Sequence, residues 1–145
     1  PKNFNHFKRH LELNHINNVI AINSAVSNKN GKCKFFIDNS QNTGRHSLYF
    51  GNKNKEIIEV NTVKLSDVLK KYKIKKINFL KMDCEGAEYD ILFNLPKSIL
   101  KNIDKIAMEY HNLDKKRNVN ALVDFLIKNG FDVDIKPPIL FATRM

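Results

Sequence analysis

Apolar residues recur along this chain at two periods, and the switching between them outlines a fold. Phe4, Phe7, Leu11 and Leu13 follow steps of three and four, with Lys8, Arg9 and Glu12 between them. That spacing predicts an amphipathic helix over 3–13 with a stop at Asn14. Val19-Ile20-Ala21-Ile22 is a short, mostly β-branched run, which reads as a buried strand. Asn28-Lys29-Asn30-Gly31 is a turn signal and Cys33 to Ile37 a second strand, so 19–22 and 33–37 are expected to form a hairpin. Residues 38–54 are polar and aperiodic, as functional or mobile loops are. Ile57 to Val63 alternates as a strand, and Leu65, Val68 and Leu69 give a short helix through Tyr72 its apolar face.

The clearest segment is Ile77 to Asp83, a strand running into Cys84-Glu85-Gly86 and then a helix from Ala87 to Phe93 limited by Pro96. Lys105 to His111 reads as the next strand. A helix over 117–129 carries Val119, Leu122, Val123, Leu126 and Ile127 on one face, and Gly130 caps it. Phe131 to Ile135 and Ile139 to Thr143 are two final strands separated by Pro137-Pro138. Alternation of this kind from residue 65 onward argues for an α/β fold with a largely parallel sheet. Ligands of such sheets bind beyond the carboxyl ends of the strands. That directs attention to Asp83–Glu85 and Glu109–His111.

Side chains alternate along a strand, so Lys81 and Asp83 share one face, and Ala107, Glu109 and His111 share another. Parallel pairing in one register brings Lys81 to Glu109, which would neutralise a lysine in mid-strand. The same register brings Asp83 to His111, where a carboxylate can orient an imidazole for proton transfer. The alternative for Asp83 and Glu85 is a capping role at the following helix. Gly86 permits a tight turn, but no GxGxxG or Walker sequence occurs in the 145 residues. His6 and His10 stand four apart without a third ligand, so no metal site is expected.

Composition narrows the classes. An apolar fraction of 42% with 28% charged residues is that of a soluble globular domain, and no apolar run reaches membrane-spanning length. Cys33 and Cys84 lie far apart, which favours a reduced, cytoplasmic protein. The net charge of +10 raises nucleic-acid binding as one reading. Of the 25 basic residues 21 are Lys, and they are spread along the chain, so nucleic acid is not the expected partner. The first residue is Pro1 rather than Met, so further sequence upstream is expected.

Phe79-Leu80-Lys81-Met82-Asp83-Cys84-Glu85-Gly86-Ala87-Glu88 resembles the hallmark segment of the FkbM-like methyltransferases. Pro1 to Asn14, Asn18 to Ser27 followed by Gly31, Asn42-Thr43-Gly44 with Ser47-Leu48, Val63 to Leu69 and Met108 to His111 resemble other parts of that family in the expected order. The resemblance implies a Rossmann-like class I sheet with strand order 3-2-1-4-5-7-6 and S-adenosylmethionine (SAM) as cofactor. It also implies O-methylation of a hydroxyl on a glycan, lipid or secondary metabolite. Against that pattern strands 1 and 2, the Gly-rich SAM loop and the ribose-binding acid are missing. Cys84 replaces an apolar residue, and Asn94-Leu95 stands where a Gly-containing turn is common.

The expectation is therefore a single partial methyltransferase domain over 1–145. Its third-strand and hairpin region covers 1–64 and its C-terminal α/β half 65–145. Alone, such a chain should be poorly stable, or rearranged so that strand 3 pairs elsewhere. By the resemblance Asp83, His111 and Glu85 are catalytic, and Asn23, Ser24, Ala25 and Asp83 contact the cofactor. Arg45, His46 and Ser47 contact the small-molecule or glycan substrate. The alternative is an inactive remnant without SAM binding.

Overall fold

The computed structural model describes residues 2–37 and 56–145, in two sheets. Helix α1 (Lys2–Leu13) ends where the sequence places its stop. His15 turns left-handed (φ 54), its N–H donates to the Glu12 carbonyl, and the Ile16 N–H donates to the Leu11 carbonyl at 2.9 Å. These two bonds satisfy carbonyls that a helix end otherwise leaves open. Phe7 and Leu13 remain exposed.

The first sheet differs from the expected hairpin. Val19–Ile22 forms no strand, and Val19 and Ile20 are exposed. The strand begins later, as the two-residue β1 (Ala25–Val26). β2 (Gly31–Ile37) pairs antiparallel with β3 (Glu56–Val63), and β1 lies parallel to β3 on its other side. The physical reason is ladder length. β3 offers β2 seven opposed residues, from Gly31 against Thr62 to Ile37 against Glu56, whereas 19–22 offers four. Asn30 fixes the crossing: its Oδ1 accepts the Lys64 N–H at 2.9 Å and its Nδ2 donates to Asp67 at 2.6 Å.

Helix α2 (Leu65–Lys71) leads into β4 (Ile77–Met82), followed by α3 (Glu88–Phe93) and α4 (Lys97–Leu100). Then come β5 (Ile103–Glu109), α5 (Val119–Lys128), β6 (Phe131–Lys136) and β7 (Ile139–Arg144). α4 is too short to show a period in sequence. The second sheet has the order β4-β5-β7-β6, with β4 parallel to β5 and β7 antiparallel to both its neighbours. Asn118 caps α5, its Oδ1 accepting the Ala121 N–H at 3.1 Å, and this leaves Leu122 and Leu126 on the buried face.

The core sits here. Leu92, Ile103, Leu122, Leu126, Phe131 and Leu140 are wholly inaccessible to solvent, each burial contributing about 1.5–3 kcal/mol. Val26, from the first half of the chain, and Leu65, at the start of α2, pack against this cluster. Arg144, at the end of β7, joins three elements. Its Nη2 donates to the Leu100 carbonyl, Nη1 to the Asn129 carbonyl and Nε to the Ile103 carbonyl at 3.3 Å, with the guanidinium over the Phe131 ring. Among the described residues no helix is long and apolar enough to cross a membrane.

Candidate functional site

Because β4 and β5 are parallel, their carboxyl ends open on the same edge of the sheet. β4 gives way to Asp83-Cys84-Glu85-Gly86-Ala87, which reverses the chain into α3. Glu85 (φ 49) and Gly86 (φ 104) both occupy left-handed backbone. Glycine adopts that conformation freely; for a glutamate it costs about 1 kcal/mol, so the turn must be held by its surroundings.

Glu88, the first residue of α3, holds it. The side chain is fully buried, and its Oε1 accepts the Cys84 N–H at 3.0 Å and the Gly86 N–H at 3.3 Å. From the neighbouring strand end, the His111 imidazole enters between two carboxylates. Its Nε2 is 3.4 Å from Glu85 Oε2, and its Nδ1 is 3.4 Å from Glu88 Oε1. The Tyr89 hydroxyl donates to the His111 carbonyl at 2.9 Å, so α3 fixes both ends of that residue.

The register differs from the sequence expectation by two residues. Lys81 lies opposite Ala107, and continuing the ladder past Met82 and Met108 sets Asp83 opposite Glu109. The Lys81 ammonium reaches Asp83 at 3.0 Å on its own strand and not Glu109. β4 is an edge strand among the described residues and this lysine is exposed, so no buried partner is required. The acid facing His111 is accordingly Glu85, with Glu88 behind it, and not Asp83.

Burial and the Glu88 charge push the Cys84 thiol up to about 11, which keeps it protonated and unreactive at neutral pH. The same two causes, burial first, push the Tyr89 hydroxyl up to about 12, so it remains a donor. Among the described residues no three His, Cys, Asp or Glu side chains group to hold a metal. The two carboxylates beside His111 face different ring nitrogens and do not converge on one point.

The other expected site residues fall elsewhere. Ala25 opens β1 rather than ending a strand, and Ser24 precedes it in a bend, its N–H donating to the Ile22 carbonyl at 3.0 Å. Asn23 is exposed beside them. Arg45, His46 and Ser47 lie outside the described residues. Glu88 is the residue that sequence reasoning passed over. An acid in the first turn of a helix, directly after a glycine-bearing strand-end turn, was the available signal.

Known proteins resemble this chain over most of its length. It is 26% identical to "Methyltransferase 1" of Beauveria bassiana over 157 aligned residues, covering 95% of this chain and 62% of that protein. Over 78 residues it is 32% identical to "AMB antimetabolite synthetase AmbE" of Pseudomonas aeruginosa, covering 50% of this chain and 4% of that protein. The chain thus spans about three-fifths of the first relative and a small part of the second. No solved structure matches. The family profile described as "Methyltransferase FkbM domain" matches residues 1–133, a span that includes β1 to β5, α5 and the whole strand-end turn, and the chain belongs to that family.

Proposed function

We propose that this domain serves methyl transfer from SAM to a hydroxyl oxygen of a glycan, lipid or secondary metabolite, with glycan favoured. The observation that carries this reading is the Glu85–His111–Glu88 cluster at the shared carboxyl ends of two parallel strands. The strand order β4-β5-β7-β6, with β7 reversed, supports a class I methyltransferase sheet, because it is the 4-5-7-6 half of that arrangement.

The residues present fit one part of the donor. Asp83 follows β4 with its carboxylate part-exposed, so an acceptor for a cationic or hydroxyl-bearing ligand stays open to solvent. Asp83 on this edge, and Asn23, Ser24 and Ala25 on the separate segment around the start of β1, would hold the donor, which supplies an electrophilic methyl group when bound. The chain's own work is positioning and proton handling. His111 would take up the acceptor's hydroxyl proton as the O–C bond forms and the donor's S–CH3 bond breaks to release S-adenosylhomocysteine, and Glu85 would steady the ring that receives the proton. Lys81 keeps Asp83 oriented along the strand edge.

Calorimetric titration with S-adenosylhomocysteine tests the donor site. Binding by the full-length protein that weakens at least several-fold in Asp83→Asn is the expected result. Absence of binding, or binding equally strong in Asp83→Asn and Asn23→Ala, removes this edge as the donor site and leaves the inactive remnant as the better reading.

A further inference from the structure

The strand-end turn contains a buried acid to which the methyl-transfer scheme gives no role. Glu88 has no solvent exposure, and one of its oxygens, Oε2, finds no hydrogen-bond partner among the described residues. Burying a carboxylate is costly unless it organises its surroundings. Here the other oxygen does three things at once. It accepts the backbone N–H groups on both sides of Glu85, those of Cys84 and Gly86, and it stands 3.4 Å from His111 Nδ1, at ion-pair distance but outside hydrogen-bond geometry. Glu85 lies between those two anchored amides in left-handed backbone and presents its own carboxylate to the opposite ring nitrogen.

We propose that Glu88 is the positioning residue of this site: a single buried carboxylate sets the turn that aims Glu85 and, through Nδ1, sets the face and tautomer of His111. The physical argument is one of shared geometry. An imidazole has two nitrogens fixed at opposite sides of a rigid ring. Glu88 occupies one side and dictates where the backbone delivers the acid for the other. Loss of Glu88 therefore disturbs both flanks, whereas loss of Glu85 disturbs one. The role rests on the methyl-transfer reading only in so far as His111 handles the proton; the geometry stands without it.

Ring-nitrogen NMR of His111 in the 145-residue chain tests this apart from activity. In wild type the Nδ1 resonance should carry a bound proton. Glu88→Gln keeps an acceptor oxygen for the two turn amides, so the fold and the exchange rates of the Cys84 and Gly86 N–H groups should hold within about threefold, while the Nδ1 resonance moves. Glu85→Gln should move the Nε2 resonance and leave Nδ1 in place. Glu88→Asp, one methylene shorter, should accelerate exchange of both amides at least tenfold in a chain that still melts cooperatively. A bare Nδ1 in wild type, or an Nδ1 resonance unchanged in folded Glu88→Gln, reduces Glu88 to a turn anchor and overturns the proposal.

In the methyl-transfer assay Glu88→Gln should lower kcat about tenfold with KM unchanged, the pattern of lost orientation. Full-length protein that transfers no methyl group, while the chain shows the NMR pattern, rejects the methyl-transfer reading and upholds the role of Glu88.

Discussion

Both halves of the described chain carry apolar periods, yet only one half closes. Among the described residues every buried apolar side chain lies at residue 69 or beyond. Before residue 65 the only buried side chain among the described residues is the polar Thr62, while Phe7, Leu13, Ile16, Val19, Ile20, Ile22 and Ile57 are exposed. An apolar period states that a face seeks a partner; it does not supply one. In the second half α3 and α5 meet sheet faces of matching period, and the result is a core.

The sharpest way to break this contrast is truncation of one aromatic in each half. Phe131→Ala should destabilise the chain by about 3–5 kcal/mol in a denaturant titration, because it empties a site without solvent access. Phe7→Ala should cost less than about 0.5 kcal/mol. Equal losses would mean that α1 is packed as tightly as the core. Next in size is Arg144→Ala, which leaves the carbonyls of Leu100, Asn129 and Ile103 without their charged donor. The expected loss is about 2–3 kcal/mol. Arg144→Lys should recover less than half of it, since an ammonium cannot reproduce the fork.

The smallest effect has the opposite sign. Lys73 follows α2 in left-handed backbone (φ 56), with its N–H donating to the Lys70 carbonyl and the Ile74 N–H to the Leu69 carbonyl at 2.9 Å. Lys73→Gly should stabilise the chain by about 0.5–1 kcal/mol, read as a rise in denaturation midpoint. The same change at His15, which caps α1 in the same way, should leave that midpoint nearly unmoved if α1 frays independently of the core.

How far the sequence reaches follows from the same physics. The strands at 77–82, 103–109, 131–136 and 139–144 and the helix at 119–128 were legible because each carries its own period over a sufficient length. Val19–Ile22 was misread because a β-branched run describes strand propensity, and its realisation depends on a ladder partner, here β2, that β3 claimed instead. The β4–β5 register was legible only in part. A period of two fixes which face Lys81 and Asp83 share, but shifting a strand by two residues preserves every face, so pattern alone could not choose Ala107 over Glu109 as the residue opposite Lys81. At the site, Asp83, Glu85 and His111 were visible as polar groups ending apolar strands. Glu88 was hidden because an acid opening a helix looks the same whether it faces water or the interior.

The order β4-β5-β7-β6 also has a consequence in time. β6 is synthesised before β7, but its only sheet neighbour among the described residues is β7, which also separates it from β5. As the chain emerges, α5 and β6 must wait with Phe131 and Leu126 uncovered until the next strand is delivered and slides between two elements already made. The late strand is the keystone of the sheet. The interval before its arrival is when the apolar faces are most open to mispairing, and it sets a demand on folding order that the finished structure no longer displays.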